Sequence, residues 1–177
     1  MPNWNFNRLT VSGKRKDVGD FKKKAVREYS GKIAPGEESK TDLSFNNFVP
    51  MPKELENTQS PYTPETAEEK QKSKYLINKF GADNWYDWAI MNWGVKWDAS
   101  NAALIEKHSD LLIYEFDTAW GPPKEWLKKT SLLYPELEFT MEYEEPGMAF
   151  AGTYHAQGGD TCDEPREYVN EEELEEV

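Results

Sequence analysis

The nucleophilic and metal chemistry that the sequence could support is limited by its few histidines, its single cysteine and the aspartates near them. His108 lies in a predicted turn, and His155 lies near the end of the last predicted strand. Neither position indicates a Ser-His-Asp arrangement. His155 is followed by Asp160, Cys162 and Asp163, which are residue types that bind zinc. No second His or Cys stands near them to complete a tetrahedral site. We therefore expect no metal centre and no cofactor.

Other patterns that carry catalysis are also missing from the sequence. It contains no Gly-x-Ser-x-Gly turn for acyl transfer and no Gly-rich loop followed by Lys-Ser/Thr for phosphate binding. Glu144 and Glu145 are paired, but adjacent residues of a strand point to opposite faces and would not cooperate. We therefore expect that the protein is not an enzyme. An enzyme centred near Asp98 and Asp117 stays an alternative, and it predicts carboxylates of raised pKa in a pocket.

Two short motifs combine tryptophan with aspartate, one in the segment 93–98 and one in the segment 117–120. In each motif an indole N–H or a backbone donor can pair with the carboxylate while the ring enters the core, which is a sufficient structural role. If the protein has a binding site, we expect it where these two segments meet. The candidate binding residues are Trp93, Lys96, Trp97, Asp98, Asp117 and Trp120.

Trp85, Trp88, Trp93 and Trp97 fall within thirteen residues, the densest aromatic cluster of the chain. They could form a satellite core, because tryptophan contributes a large buried area. They could also form an exposed platform for a base, a sugar or a partner protein. We expect most of them to be buried, and both interpretations stay open at the level of sequence.

Length and composition limit the class of protein. The chain has 177 residues, and its 14% aromatic content argues against a fully disordered protein. One cysteine cannot form an internal disulfide. No apolar run approaches the roughly 20 residues that cross a bilayer, and the first residues show no basic leader followed by an apolar block. We expect a cytoplasmic protein of a bacterial cell with no membrane partner.

The charge is unevenly distributed along the chain. The formal net charge is −12, yet residues 1–40 are basic, with Lys22, Lys23, Lys24 and Arg27 on one predicted helix. Residues 158–177 are strongly acidic and are expected to form a flexible tail. General binding of nucleic acid is unlikely because it requires many Lys and Arg side chains to displace counterions.

The hydrophobic pattern predicts the order of the elements. Residues 4–12 predict a strand with a bulge near Asn7, and a helix capped by Asp17 should follow and end at Gly31. A second strand is expected at 43–49, then a helical insertion at about 50–97. Strands at 102–106 and 111–116, a helix after Pro123, and strands at 137–143 and 148–154 complete the pattern.

This order predicts an α+β protein with a ferredoxin-like sandwich. The sheet is expected to be mainly antiparallel, with helices on one face, extra C-terminal strands and the helical insertion. We predict one domain over residues 1–157 and the acidic tail over 158–177.

Four separated segments of the chain carry motifs in a characteristic order: 1–9, 92–98, 116–123 and 144–152. Together they resemble a known family, the YubB-like ferredoxin-fold proteins of phages and plasmids. The resemblance covers about residues 1–155 and implies a ferredoxin-like fold and a mobile-element origin, with no established activity to carry over. The chain departs from the family pattern at Asn5, where members often have Cys, and at Gly121, where they often have Ser. Asn5 rules out a thiol role for the first motif.

These observations leave three hypotheses about function. The first is a non-enzymatic, acidic interaction protein of a phage or plasmid that binds a host protein and counters a defence or nucleic-acid enzyme. The second is a nucleic-acid-binding module, since ferredoxin-like sheets can present aromatic side chains on an open face. Against it, Glu138, Thr140 and Glu142 are predicted on the exposed face of a strand, where carboxylates repel phosphate. The third is the enzyme described above.

Overall fold

The structure is a computed structural model that describes residues 2–28 and 40–169. Within these ranges the strands are β1 (Trp4–Ser12), β2 (Arg27–Glu28), β3 (Lys40–Thr41), β4 (Ser100–Lys107), β5 (Leu111–Ala119), β6 (Glu138–Glu145), β7 (Phe150–Gln157) and β8 (Asp160–Glu167). The helices are α1 (Arg15–Ala25), α2 (Lys53–Glu56), α3 (Ala67–Phe80), α4 (Trp85–Trp93) and α5 (Lys124–Leu133).

Six of the strands form one sheet in the order β4-β5-β1-β6-β7-β8, and every neighbouring pair is antiparallel. Followed along the chain, β1-α1-β4-β5-α5-β6 is the β-α-β-β-α-β pattern of the ferredoxin-like fold. The predicted fold class is therefore confirmed. Strands β7 and β8 extend the sheet beyond β6 as an antiparallel meander.

The prediction of a second strand at residues 43–49 was wrong. Phe45–Asn47 form one turn of 3-10 helix, and Phe45 and Phe48 both pack on the ring of Trp126 in α5. Side chains three residues apart lie on the same side of a 3-10 turn, which suits this spacing. The second strand of the ferredoxin-like pattern is instead β4, which follows the insertion.

Helix α1 ends earlier than predicted. Its last residue is Ala25, and the Asn47 side chain donates hydrogen bonds to the carbonyls of Lys24 at 2.8 Å and Val26 at 2.9 Å. These bonds satisfy carbonyl groups that the end of a helix leaves unpaired. The predicted stop at Gly31 lies outside the described residues.

The acidic tail begins later than predicted. Residues 160–167 form β8, which pairs with β7 over its whole length, so the boundary at residue 158 was wrong. The sequence hides this strand because all of its residues are exposed, and an exposed edge strand has no apolar alternation to reveal it. The Glu-rich segment from residue 170 lies outside the described residues.

Strand β1 runs without the predicted bulge, and its alternation is unusual. Asn5 and Asn7 point into the protein, whereas the Trp4 and Phe6 side chains are 36% and 46% exposed. The amide of Asn7 donates to the Thr118 hydroxyl at 2.8 Å, and the amide of Asn5 donates to the Asn7 side chain at 2.7 Å. This ladder satisfies most of the buried amide groups. Because side chains alternate along a strand, Trp4 and Phe6 lie on the other face of the sheet.

Helices α1 and α5 cover one face of the sheet and enclose the core. Phe21 of α1 packs on Phe48, Tyr114 and Phe139, and Trp126 of α5 is fully buried beside Phe45. No described helix covers the opposite face of the sheet, whose exposed side chains remain accessible. This uncovered face is called the open face below.

The insertion is helical, as predicted, and its helices have clear boundaries. Thr66 and Glu69 form a reciprocal capping box at the start of α3. Gly81 and Gly94 end α3 and α4 in the left-handed conformation, where glycine carries no steric penalty. Trp88 and Trp93 of α4 are buried, which joins the insertion to the main core.

Gly19 lies in the middle of α1, where glycine is a poor helix former. A Cβ at this position would have no heavy atom within 4 Å outside its own helix turn. We expect Gly19→Ala to raise the free energy of unfolding by about 0.5–1 kcal/mol, because alanine loses less backbone entropy on folding. Urea denaturation of the two proteins measures the difference, and a lower midpoint for the alanine variant would contradict the expectation.

Candidate functional site

The centre of the open face is a groove built around Arg8 of β1. Arg8 lies directly opposite Glu115 of β5 and Glu142 of β6, and Phe6 lies opposite Asp117 and Glu144. These side chains, together with Arg166 of β8, line a concavity of about 520 Å³. The arrangement depends on the antiparallel register, which places every second residue of each strand on this face.

The carboxylates of the groove are only partly neutralised. Arg8 Nη1 donates to Glu115 Oε1 at 2.9 Å, and Asn101 Nδ2 donates to Asp117 Oδ2 at 2.8 Å. Both members of the Arg8–Glu115 pair are about half exposed, so solvent screens the interaction and it adds little to stability. Glu142 and Glu144 have no ion-pair partner among the described residues, which leaves the groove net negative.

A second depression of about 300 Å³ continues the open face toward the other end of β7 and β8. His155 lies opposite Cys162 there, and its Nδ1 is 3.2 Å from the Thr140 hydroxyl. Glu138 and Asp160 line the same depression, so the negative character extends along the sheet.

The four residues considered above as metal ligands are divided between the two faces; they are His155, Asp160, Cys162 and Asp163. Asp163 lies on the helix side, where it accepts hydrogen bonds from Lys124 Nζ at 2.5 Å and from the Tyr143 hydroxyl at 2.8 Å. Across the described residues, no group of three or more His, Cys, Asp or Glu is placed to hold a metal ion.

Exposed aromatic rings border the groove where β1 begins. Trp4 and Trp97 have ring centroids 6.3 Å apart, and Trp97 and Trp120 are 41% and 49% exposed. The backbone N–H of Trp120 donates to the carbonyl of Asn3 at 2.9 Å, which holds the end of β5 beside the start of β1. Phe6 joins this aromatic border to the acidic groove.

The predicted site residues do not form one site. Trp93 is buried, and its indole N–H donates to the carbonyl of Val49 at 2.9 Å, so it belongs to the core. The Lys96 ammonium lies 3.9 Å from the centre of the Trp97 ring, in a cation–π contact at the surface. Asp117 lines the groove, and Trp120 is exposed just after the end of β5.

Asp98 holds the loop before the insertion against the start of β4. Its carboxylate accepts from the Ser44 hydroxyl at 2.7 Å, from the backbone N–H groups of Phe45 and Asn46, and from that of Ala99 at 2.8 Å. Burial raises the pKa of Asp98, and the hydrogen bonds act in the opposite direction. Because both oxygens are occupied by the chain, Asp98 is poorly placed to act on a substrate.

The expectation that most of the clustered tryptophans are buried holds for part of the cluster. Trp88 and Trp93 are 5% and 4% exposed and stack edge to face, with ring centroids 5.6 Å apart. Trp85 is half-buried, whereas Trp97 is exposed. The tryptophan cluster therefore belongs to the core at α4, where Trp88 and Trp93 lie, and reaches the surface at Trp97.

Sequence reasoning missed most of the groove. The glutamates of β6 were predicted on the exposed face, and Glu138 and Glu142 are indeed exposed. Arg8 was not singled out, although its position between two charged strands is the centre of the concavity. The available signal was the charged residue in the middle of β1, but reading it required the pairing of β1 with both β5 and β6.

Comparisons with known proteins agree with this architecture. Residues 92–177 match a family model described as the ferredoxin-like domain in Api92-like protein. This half of the chain is therefore similar to that domain. It contains every strand of the main sheet except β1, together with α5.

A solved structure is similar over nearly the whole chain. The protein api92 from Yersinia pseudotuberculosis is 12% identical, with a TM-score of 0.56, over 96% of this chain and 99% of that chain. At this identity the likeness shows the fold alone. No curated protein matches the chain. Together the likenesses support the prediction of a ferredoxin-like fold.

None of the described helices combines the length and the apolar character needed to cross a bilayer.

Proposed function

We propose that the protein is a non-enzymatic interaction module that binds a basic protein through its open face. The observation that carries this proposal is the uncovered groove in which Glu142 and Glu144 have no cationic partner among the described residues. An antiparallel sheet can leave one face in water, but the exposed Trp4 and Phe6 rings beside these carboxylates are typical of an interaction surface.

The chemistry of the groove favours arginine and lysine side chains on the partner. Carboxylates accept bidentate, charge-assisted hydrogen bonds from arginine. The exposed rings of Phe6 and Trp4 can receive the same cations on their faces, and together with Trp97 they supply the apolar contact that anchors an interface. An acidic groove with an aromatic border is therefore complementary to a basic segment or surface.

The resemblance to YubB-like proteins suggests where such a partner is found. In a phage or plasmid context, we propose that the partner is a host protein in the bacterial cytoplasm. Enzymes that act on nucleic acid present basic surfaces, because they bind phosphate, and a defence enzyme of this kind fits the charge of the groove. The module would counter the enzyme by occupying that surface.

The nucleic-acid alternative has less support. An open ferredoxin-like face can stack bases on its aromatic side chains. Here the carboxylates of the groove outnumber Arg8 and Arg166 and would repel the phosphate backbone. The enzyme alternative also has less support, since its proposed centre at Asp98 is occupied by hydrogen bonds from the chain.

The proposal predicts that reversing the charge of the groove abolishes capture of the partner. The experiment compares three tagged proteins in nuclease-treated bacterial lysate: the unchanged chain, the double variant Glu142→Lys/Glu144→Lys, and the control Glu56→Lys/Glu68→Lys. The control changes the net charge equally at exposed positions of the insertion. Mass spectrometry should identify one basic protein with the unchanged chain and the control, and the groove variant should lose it by about 100-fold.

Two results would overturn this function. If the groove variant captured as much of the partner as the unchanged chain does, the open face would not be the binding surface. Capture that nuclease abolishes would favour the nucleic-acid module. A titration of purified protein with an arginine-rich peptide at two salt concentrations provides an independent measure, because binding of opposite charges weakens as salt rises.

A further inference from the structure

A cationic cavity lies between α1 and the turn that joins β4 to β5, away from the acidic groove. It has a volume of about 330 Å³. Helix α1 contributes Arg15, Gly19 and Lys22, which lie four and three residues apart and therefore share one face of the helix. The end of β4 contributes Lys107, and the turn contributes His108.

The shape of the cavity depends in part on a residue that lacks a side chain. Gly19 is half-buried in the helix interior, and a Cβ there would meet no heavy atom within 4 Å. Its backbone therefore leaves open space between Arg15 and Lys22. Glycine costs about 1 kcal/mol relative to alanine at such a position, so an opening for a ligand gives it a role.

The cations of the cavity converge without a neutralising group. Lys22 and Lys107 lie close together, and this contact is the main reason that the pKa of Lys22 is lowered, with burial and the charges of Lys23 and Lys40 acting in the same direction. Among the described residues that line the cavity there is no carboxylate. The carboxylate of Glu106, which precedes Lys107 in the chain, lies 2.7 Å from His108 Nε2.

Some lysines of the described chain pair with carboxylates. Lys79 pairs with Glu54 at 3.0 Å, Lys14 with Glu136 at 3.5 Å and Lys124 with Asp163 at 2.5 Å. Most of the described lysines have no such partner, so its absence at Lys22 and Lys107 is not unusual in itself. What distinguishes these two lysines is that their ammonium groups lie beside each other at one cavity, and a bound anion would explain this placement.

We propose that this cavity binds a phosphate-type oxyanion, either free phosphate or the terminal group of a phosphomonoester. A dianion between Lys22 and Lys107 would relieve their mutual repulsion and accept charge-assisted hydrogen bonds from both. The Arg15 guanidinium can add a planar pair of donors. A nucleic-acid strand fits less well, because a polymer needs an extended basic surface and this patch is a single local pocket on an acidic protein.

The test is a titration of the purified full-length protein with inorganic phosphate at constant ionic strength, followed by NMR of backbone amides. We expect saturable shifts at Gly19 and His108. Lys22→Ala and Lys107→Ala should each weaken binding about tenfold, the effect of losing one charge-assisted hydrogen bond. Lys16→Ala removes an exposed lysine of the same helix that does not line the cavity, and it should bind as the unchanged protein does.

Further titrations separate the sources of the phosphate group. O-phosphoserine represents a monoester, and dimethyl phosphate represents the diester of a nucleic-acid backbone. We expect the monoester to bind at least about tenfold more tightly, because its second negative charge reaches the second ammonium. The proposal would be overturned if phosphate showed no saturable binding, or if the diester bound more tightly than the monoester. It would also be overturned if Lys22→Ala and Lys107→Ala bound phosphate as tightly as the unchanged protein, or if Lys16→Ala weakened binding as much as they do.

Discussion

Replacing Asp98 with alanine is expected to lower the free energy of unfolding by about 3–5 kcal/mol. The carboxylate accepts hydrogen bonds from Ser44, Phe45, Asn46 and Ala99, and its side chain is 23% exposed. Alanine would leave these donors without an acceptor. Burying the Asp98 carboxylate costs free energy, and the alanine variant avoids that cost. The hydrogen-bond donors left unpaired in the variant cost more in total, since each buried unpaired group costs about 1–3 kcal/mol.

Two further variants separate this role from a general effect of removing charge. Asp98→Asn keeps the shape and one acceptor oxygen, so its stability should fall between those of the unchanged protein and the alanine variant. Asp117→Ala removes a carboxylate of the open face and should change stability by no more than about 0.5 kcal/mol. Urea denaturation followed by circular dichroism measures all three. A midpoint for Asp98→Ala equal to that of Asp117→Ala would show that Asp98 does not clamp the loop.

The role of Asp98 illustrates what sequence patterns can and cannot predict. The Trp-Asp pair suggested a donor and a carboxylate in contact, and Asp98 does accept hydrogen bonds from the backbone. Its partners Ser44 and Phe45 are more than fifty residues distant in the chain, so no local pattern identifies them. A sequence motif can indicate that a carboxylate has a hydrogen-bond partner, but the identity of that partner depends on the fold.

Strands with one buried face were predicted well because their alternation is independent of their neighbours. Leu137, Phe139, Met141 and Tyr143 are all buried, as their spacing indicated. The same rule failed in β1, where Asn5 replaces an apolar residue on the buried face. A buried amide ladder looks polar in the sequence and can be recognised only when Asn7 and Thr118 are known to be adjacent.

The groove was the hardest feature to predict because it belongs to no single segment. Its residues come from β1, β4, β5, β6 and β8, and each of them alone resembles an ordinary exposed side chain. Only the strand order brings Arg8 between Glu115 and Glu142. The same dependence on topology applies to the cationic cavity, which joins α1 to a turn more than eighty residues later in the chain.

Replacing Gly152 with alanine is expected to destabilise the added strands by about 2–4 kcal/mol. A Cβ on Gly152 would lie 2.6 Å from Cζ of Tyr143 and 2.8 Å from the carbonyl oxygen of Glu164. The Tyr143 ring lies across Gly152 from the neighbouring strand, and its hydroxyl reaches Asp163 of β8. The clash would force the ring aside, which adds the loss of this hydrogen bond to the cost of overpacking.

Hydrogen exchange can show where the damage falls. We expect amide protons of β7 and β8 to exchange faster in Gly152→Ala, whereas those paired between β1 and β5 keep most of their protection. Gly121→Ala is the matched control, since a Cβ there meets no atom within 4 Å and the change should have little effect. Uniform acceleration throughout the sheet would contradict a local role for Gly152.

A double-mutant cycle tests whether Tyr143 is the cause. In a Tyr143→Ala background the ring is gone, so the further cost of Gly152→Ala should fall by at least about 1 kcal/mol. The remaining cost would come from the carbonyl of Glu164, which the cycle leaves in place. Because β8 contributes Arg166 to the wall of the acidic groove, Gly152→Ala should also change the affinity for an arginine-rich peptide. A structural substitution on the covered side of the sheet would thereby change the surface that we propose for partner binding.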